Sequence, residues 1–516
     1  MSSSTHPSPW QTLEVLLRQH ARTRPDAVAL SDDTQVLDYR ALDALADRIA
    51  CALQREGVQP GEPVAMCGAS TALQAAVFVG ALRAGGVPTP IAPSVTPAQF
   101  SAMVADCGAR LLFVDALAEP LLPADGLGAV QRIWLDRSSF EPWLGPEGHA
   151  PAPVQVRPED PFDIIYSSGT TGTPKGIVHP HAMRVAQVGR AVRYRIEADS
   201  TLLLATPLYS NTTLVALLPA LGVGARVHLM GKFDAAGYLQ LAQRLRATHT
   251  MLVPVQYARL MALPTFDEAD LSAFRMKLCT SAPFDAALKA DVLARWPGGL
   301  LEIYGMTEGG VAAFLDAHEH PHKLHTVGQP PAHHDLRLID EAGRELPPGP
   351  QTVGEIVGRS PSMMTGYHGR AQATQEAEWF DAEGRRYIRS GDLGRFDGDG
   401  FLVLMGRRKD LIISGGFNLY PADLEAVLAQ HPAVAEVAVV GVPSPRWGET
   451  PVAYVTPRPG TAPDEAALRA WANERLGRTQ RLAAVRCTGP LPRSAIGKVL
   501  KRELRERWAA EGGTVD

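Results

Sequence analysis

Residues Tyr166 to Gly176 read YSSGTTGTPKG. These eleven residues include three glycines, five Ser/Thr hydroxyls, one proline and one lysine. Glycine lets the backbone turn tightly and approach a ligand closely. Exposed amides, hydroxyls and a lysine together suit a polyphosphate. The preceding run, Phe162-Asp163-Ile164-Ile165-Tyr166, reads as a buried strand that delivers the loop. This is not a P-loop, because no Gly-Lys-Ser/Thr triplet follows the first glycine at the required spacing.

On either side of this loop the chain alternates helical and strand patterns. Leu42, Leu45, Ile49 and Leu53 fall at helical spacing, 64–66 is a short strand, and 73–82 reads as a buried helix. Thr96 followed by Pro97 predicts an N-cap and a first helical residue. Residues 119–156 are rich in Pro and Gly and read as peripheral. After the loop, strands are expected near 201–205, 226–230, 250–253 and 276–280, each followed by a helix. Such alternation implies mostly parallel sheets. Beyond Pro347, short strands at 353–359, 387–390, 394–396 and 401–405 predict a small β-rich subdomain. Past Asp410, a strand at 411–413, a Gly-Gly turn, a helix at 422–429 and a strand at 434–440 begin a third unit. Helices at 464–476 and 499–510 complete it. The predicted fold is α/β: a large multi-subdomain N-terminal portion, 1–408, and a small α+β domain, 409–516.

At 516 residues the chain is too long for one compact core. Hydrophobic content of 45%, charged content of 20% and a net charge of −5 describe an ordinary globular protein and argue against a nucleic-acid partner. Five dispersed cysteines without a CxxC pair fit a reducing cytoplasm. The start, MSSSTHPSPW, lacks the basic and apolar regions of a signal peptide. Two uncharged runs, 63–82 and 201–225, match a membrane span in length, but prolines, glycines and polar residues interrupt them. Buried strand–helix elements explain both. The four histidines between Asp316 and His325, with His333-His334 beyond, raise the question of zinc. No cysteine lies nearby and Pro321 breaks any helical pairing, so a solvated loop is expected.

The YSSGTTGTPKG loop closely resembles the phosphate-binding loop of the adenylate-forming superfamily. That family comprises acyl-CoA synthetases, adenylation domains and beetle luciferases. Further strings follow in the family's order. LEIYGMTEGG, Leu301 to Gly310, brings an aromatic, a glycine, a hydroxyl and a carboxylate together. Tyr304 can stack on a purine and Glu308 can hold Mg²⁺, which prefers oxygen ligands. Asp392 in Ser390-Gly391-Asp392 suits a ribose diol. Gly406 to Asp410 matches the family's inter-domain hinge, and Gly415-Gly416 its pantetheine path. Pro492 to Lys498 carries the lysine matching the one that bridges carboxylate and α-phosphate.

The resemblance implies roles residue by residue. Lys498, Thr307 and Glu308 are catalytic, and Glu308 with Thr171 holds the metal. The nucleotide meets Ser167, Ser168, Gly169, Thr170, Thr171, Gly172, Thr173 and Lys175. It also meets Ser281, Ala282, Pro283, Tyr304, Gly305, Asp392 and Arg407. Lys409 is the hinge of a mobile C-terminal domain, and CoA meets Gly415, Gly416, Trp447 and Arg478. The acyl pocket draws on Tyr209, Ser210, Asn211, Ile303, Gly309 and Gly310, the two glycines leaving space at its wall.

Three departures from the family stand out. Thr280-Ser281-Ala282-Pro283 replaces a Gly-Gly-Ala segment, Ser210 replaces a frequent histidine, and Gly477 to Arg481 lacks the Lys-x-Pro string. The implied activity is a carboxylic acid:CoA ligase using ATP, Mg²⁺ and coenzyme A on a hydrophobic aliphatic or aromatic acid. The alternative is a free-standing enzyme that loads an aryl or amino acid onto a carrier protein. Amino-acid activators place an aspartate near the 207–214 segment, and PLYSNTTL has none. A nucleotide-binding protein without activity is expected to lack Lys498 or Glu308, and both are present. The implied partners are a small-molecule acid, ATP and CoA in the cytoplasm, with no nucleic acid and no membrane span. A homodimer stays open.

Overall fold

The computed structural model describes residues 10–167, 175–477, 480–494 and 497–513. The largest sheet has eight strands in the order Ala312–Asp316, Gly299–Gly305, Met276–Thr280, His249–Leu252, Thr201–Leu204, Arg226–Leu229, Val28–Ser31 and Val36–Asp38. Its inner strands are parallel, and its two edge strands are antiparallel. A second, all-parallel sheet pairs Val87–Pro90, Pro63–Cys67, Leu111–Val114 and Gln131–Trp134. The strands expected from the sequence are therefore present.

The two long uncharged runs are strand–helix units. Helices Ala72–Arg83 and Asn211–Val223 are buried almost all round and belong to one core cluster. A helix that is apolar on every side must be covered on every side. Among the described residues no helix is long and apolar enough to cross a membrane. The predicted cap at Thr96 is a full capping box with Gln99, and Pro97 opens the helix.

The phosphate loop joins two antiparallel strands, Pro161–Ser167 and Lys175–Pro180, in a three-stranded sheet completed by Gly366–Tyr367. The β-rich subdomain is a six-stranded antiparallel sheet spanning Asp335–Ile339 to Leu402–Arg407. The sequence reading split 386–396 into two strands. The structure shows one, Arg386–Phe396, which continues through Gly391 at φ +68 with a register shift near Leu393. The C-terminal portion packs a five-stranded sheet between helices Pro421–Leu428 and Glu465–Arg475 on one side and Lys501–Ala510 on the other.

One buried charge ties the N-terminal helices together. The Arg83 guanidinium, 3% exposed, meets Glu14 at 2.8 Å, Asp43 at 2.7 Å and Asp47 at 3.0 Å. Burial raises the Glu14 carboxyl above the ordinary value even against Arg83. Removing one partner of a buried ion pair leaves an uncompensated charge. Arg83→Met is expected to destabilise the N-terminal portion by about 3–5 kcal/mol, read as a lowered urea midpoint; a midpoint shift below about 1 kcal/mol would contradict it.

Candidate active site

The carboxyl end of strand Gly299–Gly305 leads into Met306, Thr307 and Glu308, and the chain returns through Gly309 and Gly310. Both glycines have positive φ, +73 and +76. A Cβ on Gly309 would overlap the Ser362 carbonyl, and one on Gly310 would stand 2.5 Å from Gly358 O. Gly310 N donates to Ser362 O at 2.7 Å, and Met364 N donates to Glu308 O at 2.8 Å. These glycines therefore do not open a pocket wall as expected. They let backbone lie against backbone and press the Glu308 turn onto the 360–364 segment.

That packing brings Tyr367 to the site. Its hydroxyl donates to Glu308 Oε1 at 2.8 Å, and its ring lies 5.0 Å from the Lys175 ammonium. Sequence reasoning missed Tyr367, which lies 59 residues from Glu308 and stands in a two-residue edge strand. His179 was missed as well; its Nε2 meets the Thr307 carbonyl at 2.8 Å.

Asp392 is the second centre. Tyr304 donates its hydroxyl to Asp392 Oδ2 at 2.8 Å, and Arg407 Nε meets Oδ1 at 2.7 Å. Burial raises the Asp392 carboxyl above its ordinary value, while Arg407, the Tyr304 hydroxyl and Lys498 hold it down. Lys498 comes from the turn in which Arg493 pairs with Val499 and Arg493 NH1 donates to Gly497 O at 2.7 Å. Gly497 rests on the N-terminal portion, where an added Cβ would stand 2.9 Å from Val255 Cγ1. The Lys498 side chain is open to the cleft, yet protein encloses it at longer range. That enclosure, with Arg407 beside it, lowers its pKa below the ordinary lysine value, and Asp392 and Glu308 oppose the shift. Three cations and two carboxylates thus share one cleft, an excess of positive charge suited to a polyphosphate. Glu308 offers an oxygen-only donor suited to a hard cation.

The acyl-side residues separate. Ser210 caps helix Asn211–Val223, its hydroxyl accepting from Thr212 N at 3.3 Å, so it serves the helix end. Ile303 is 7% exposed and packs in the main core rather than at a pocket wall. Tyr209 and Asn211 are partly buried, and Asn211 Oδ1 accepts from Arg184 NH1 at 2.8 Å. Ser281 holds φ +82, the left-handed region a glycine would favour, with its hydroxyl 2.5 Å from Thr212 Oγ1. Ala282 and Pro283 follow it at the end of strand Met276–Thr280.

In the C-terminal portion, Gly415 and Gly416 turn between strands Ile412–Ser414 and Phe417–Leu419. Trp447 packs against Gly415, where a Cβ would be 2.8 Å from its ring, and Arg446 covers it at 4.7 Å. Lys409 sits in the short 3₁₀ turn Arg408–Asp410, and Asp410 pairs with Arg505 at 2.8 Å. Ser168 to Thr173, the Ser167 side chain and Arg478 lie outside the described residues. His320 packs on Phe401 at 5.1 Å, and among the described residues no three His, Cys, Asp or Glu gather as a metal site.

Residues 17–368 match the AMP-binding enzyme family, and residues 423–498 match the AMP-binding enzyme C-terminal domain. The indoleacetate–CoA ligase of Aromatoleum aromaticum is 34% identical over 511 residues, covering 95% of this chain and 96% of the relative. A feruloyl-CoA synthase of an Amycolatopsis species is 34% identical over 501 residues, covering 95% and 98%. The solved structure of ATP-bound MatB from Rhodopseudomonas palustris matches with a TM-score of 0.86 at 28% identity, over 96% of this chain and 99% of that one. This chain belongs to the AMP-binding enzyme family. Within it, the chain is an enzyme of the AMP-forming acyl-CoA synthetase type.

Tyr367 holds a carboxylate at the centre of this site without sitting in any of the expected motifs. Tyr367→Phe removes only the hydroxyl, so the KM for Mg-ATP in pyrophosphate exchange is expected to rise about 3–10-fold, the net worth of one typical hydrogen bond. The melting temperature should move little, and an unchanged KM would exclude the role.

Proposed function

We propose that this chain is a carboxylic acid:CoA ligase that activates a hydrophobic acid through an acyl-AMP. A carboxylate is a poor electrophile, and the mixed anhydride with AMP supplies a good leaving group. The observation that carries the reading is Lys498, whose ammonium is close enough to Asp392 and Glu308 to feel both carboxylates. From there it can bridge the substrate carboxylate and the α-phosphate, offsetting charge that builds during in-line attack. Asp392 is assigned to the ribose diol, Tyr304 to the adenine face, and Arg407 and Lys175 to phosphate. Magnesium, held by Glu308 together with Thr171, would neutralise phosphate charge. ATP use is supported by the ATP-bound relative of the same fold, and CoA use by the ligases at 34% identity. Lys409 is proposed as the hinge between 1–408 and 409–516, which would turn Gly415, Gly416 and Trp447 toward the site for thioester formation.

Lys498→Ala is expected to lower pyrophosphate exchange by about 10²-fold or more. Thioester formation from supplied acyl-AMP should be largely spared, because that step would use the other face of the domain. Equal loss in both steps would overturn the two-face reading. Supplying CoA or a phosphopantetheinyl carrier protein in the same assay separates the ligase from the carrier-loading alternative.

The acid is proposed to lack a second charge. The segments 208–214, 281–284 and 303–311 contain no Lys or Arg. Arg184, the cation nearest Asn211, is already paired with buried Asp163 at 2.6 Å. A distal carboxylate would therefore be buried without a partner, a cost of several kcal/mol. The indoleacetate and feruloyl relatives, each 34% identical, are named for aromatic acids. Ranked by kcat/KM, indoleacetate, ferulate or octanoate should exceed acetate, since each buried methylene adds about 0.8 kcal/mol, and all should exceed malonate. Acetate or malonate at the top would refute the assignment.

A further inference from the structure

Behind the cleft lies a buried charged cluster that none of the assigned roles uses. Asp163 stands on strand Pro161–Ser167, His179 on Lys175–Pro180 and Arg184 on helix His181–Val188. Their side chains are at most 1% exposed. Asp163 Oδ1 meets His179 Nδ1 at 2.5 Å, and Oδ2 accepts from Arg184 NH2 at 2.6 Å. Arg184 NH1 donates to Gln187 Oε1 at 2.7 Å and to Asn211 Oδ1 at 2.8 Å. At the other end, His179 Nε2 meets the Thr307 carbonyl at 2.8 Å.

We propose that Arg184, Asp163 and His179 form a positioning relay that joins the acyl side of the cleft, at Asn211, to the Thr307–Glu308 turn. Burying a carboxylate, a guanidinium and an imidazole is costly, and a purely packing role would be filled as well by apolar residues. The cluster is also imperfect as a structural pin, because Arg184 Nε is buried without a partner among the described residues. What distinguishes it is where it ends. Asn211 is the first residue of helix Asn211–Val223, and a guanidinium, having only donors, fixes which amide atom of Asn211 faces it. Thr307 precedes the carboxylate held by Tyr367. The three side chains close a triangle, because Arg184 NH2 also lies 2.9 Å from His179 Nδ1. If Arg184 moves toward Asn211, its bond to Asp163 weakens, Asp163 loosens His179, and the Thr307 carbonyl loses its anchor. Occupancy of one side is thereby felt on the other, and linkage makes the effect reciprocal. None of the three is a catalytic residue in this account; they act through Thr307 and Asn211.

The inference rests on the proposed reading only in treating the Thr307–Glu308 turn as the nucleotide side. The test therefore measures binding of the Mg²⁺ complex of α,β-methylene ATP by calorimetry, with neither acid nor CoA present. Arg184→Met lies on the acyl side, yet it is expected to weaken that binding about 5-fold or more, as is His179→Gln, the scale of ordinary coupling between sites. The double variant should be within about twofold of the weaker single, because both cut one chain. Unchanged affinity in Arg184→Met with a lowered melting temperature, or losses that multiply, overturns the relay. Arg184→Lys, which can keep Asp163 paired, should restore most of the affinity. Should Arg184→Met fail to fold, Asn211→Asp reads the relay from its partly exposed end. A carboxylate at 211 competes with Asp163 for the guanidinium and should weaken nucleotide binding about threefold or more; no change overturns the proposal. If the wild-type chain itself binds no analogue, the nucleotide reading fails first and the relay with it.

Discussion

Backbone touching backbone at Gly309 and Gly310 is the contact on which the cleft depends. The edge of the eight-stranded sheet, the β-rich subdomain and the small sheet carrying the phosphate loop meet there. Gly309 bridges to Met363, and the strand Gly366–Tyr367 that follows completes the small sheet beside Ile177 and Val178. One close approach therefore sets the distance between Glu308, Tyr367 and Lys175. A side chain at either glycine would push the sheets apart by more than the length of a hydrogen bond tolerates.

Much of the architecture was legible because it is written in short-range chemistry. Leu42, Leu45, Ile49 and Leu53 lie within helix Tyr39–Arg55, and Thr96 caps as its sequence implies. Asp392 and Lys498 could be singled out from sequence because their neighbours form compact strings. Gly309 and Gly310 were misjudged because a missing Cβ means either room or contact, and sequence does not distinguish them. Tyr367, His179 and Arg184 act through partners 59, 128 and 27 residues away, beyond any local pattern. One signal was available: Asp163, a charge inside an apolar strand, demanded a buried partner. The sequence also split Arg386–Phe396 because Gly391-Asp392 has the composition of a turn.

The cleft is electrostatically primed. Asp392 is already engaged by Tyr304 and Arg407, so under the proposed ribose role a diol would exchange partners rather than meet a bare carboxylate. Exchange of one hydrogen bond for another is nearly neutral, whereas an unpaired buried carboxylate would hold a proton or distort the turn. The same economy applies in part to Lys498, whose charge Asp392 and Glu308 favour against burial and Arg407.

Ser281 sets a limit on the variation this chain can accept. At φ +82 an L-residue is strained, by an amount on the order of 1–2 kcal/mol, and the short hydroxyl contact to Thr212 offsets part of it. Glycine would relax the backbone but give up that contact; asparagine and aspartate tolerate the left-handed region. A β-branched or bulky residue is strained there whatever space the cleft provides. Position 281 therefore favours glycine, asparagine and aspartate beside serine, and a library that randomises the cleft to change acid preference carries a backbone cost of about 1–2 kcal/mol in most other replacements at this one position.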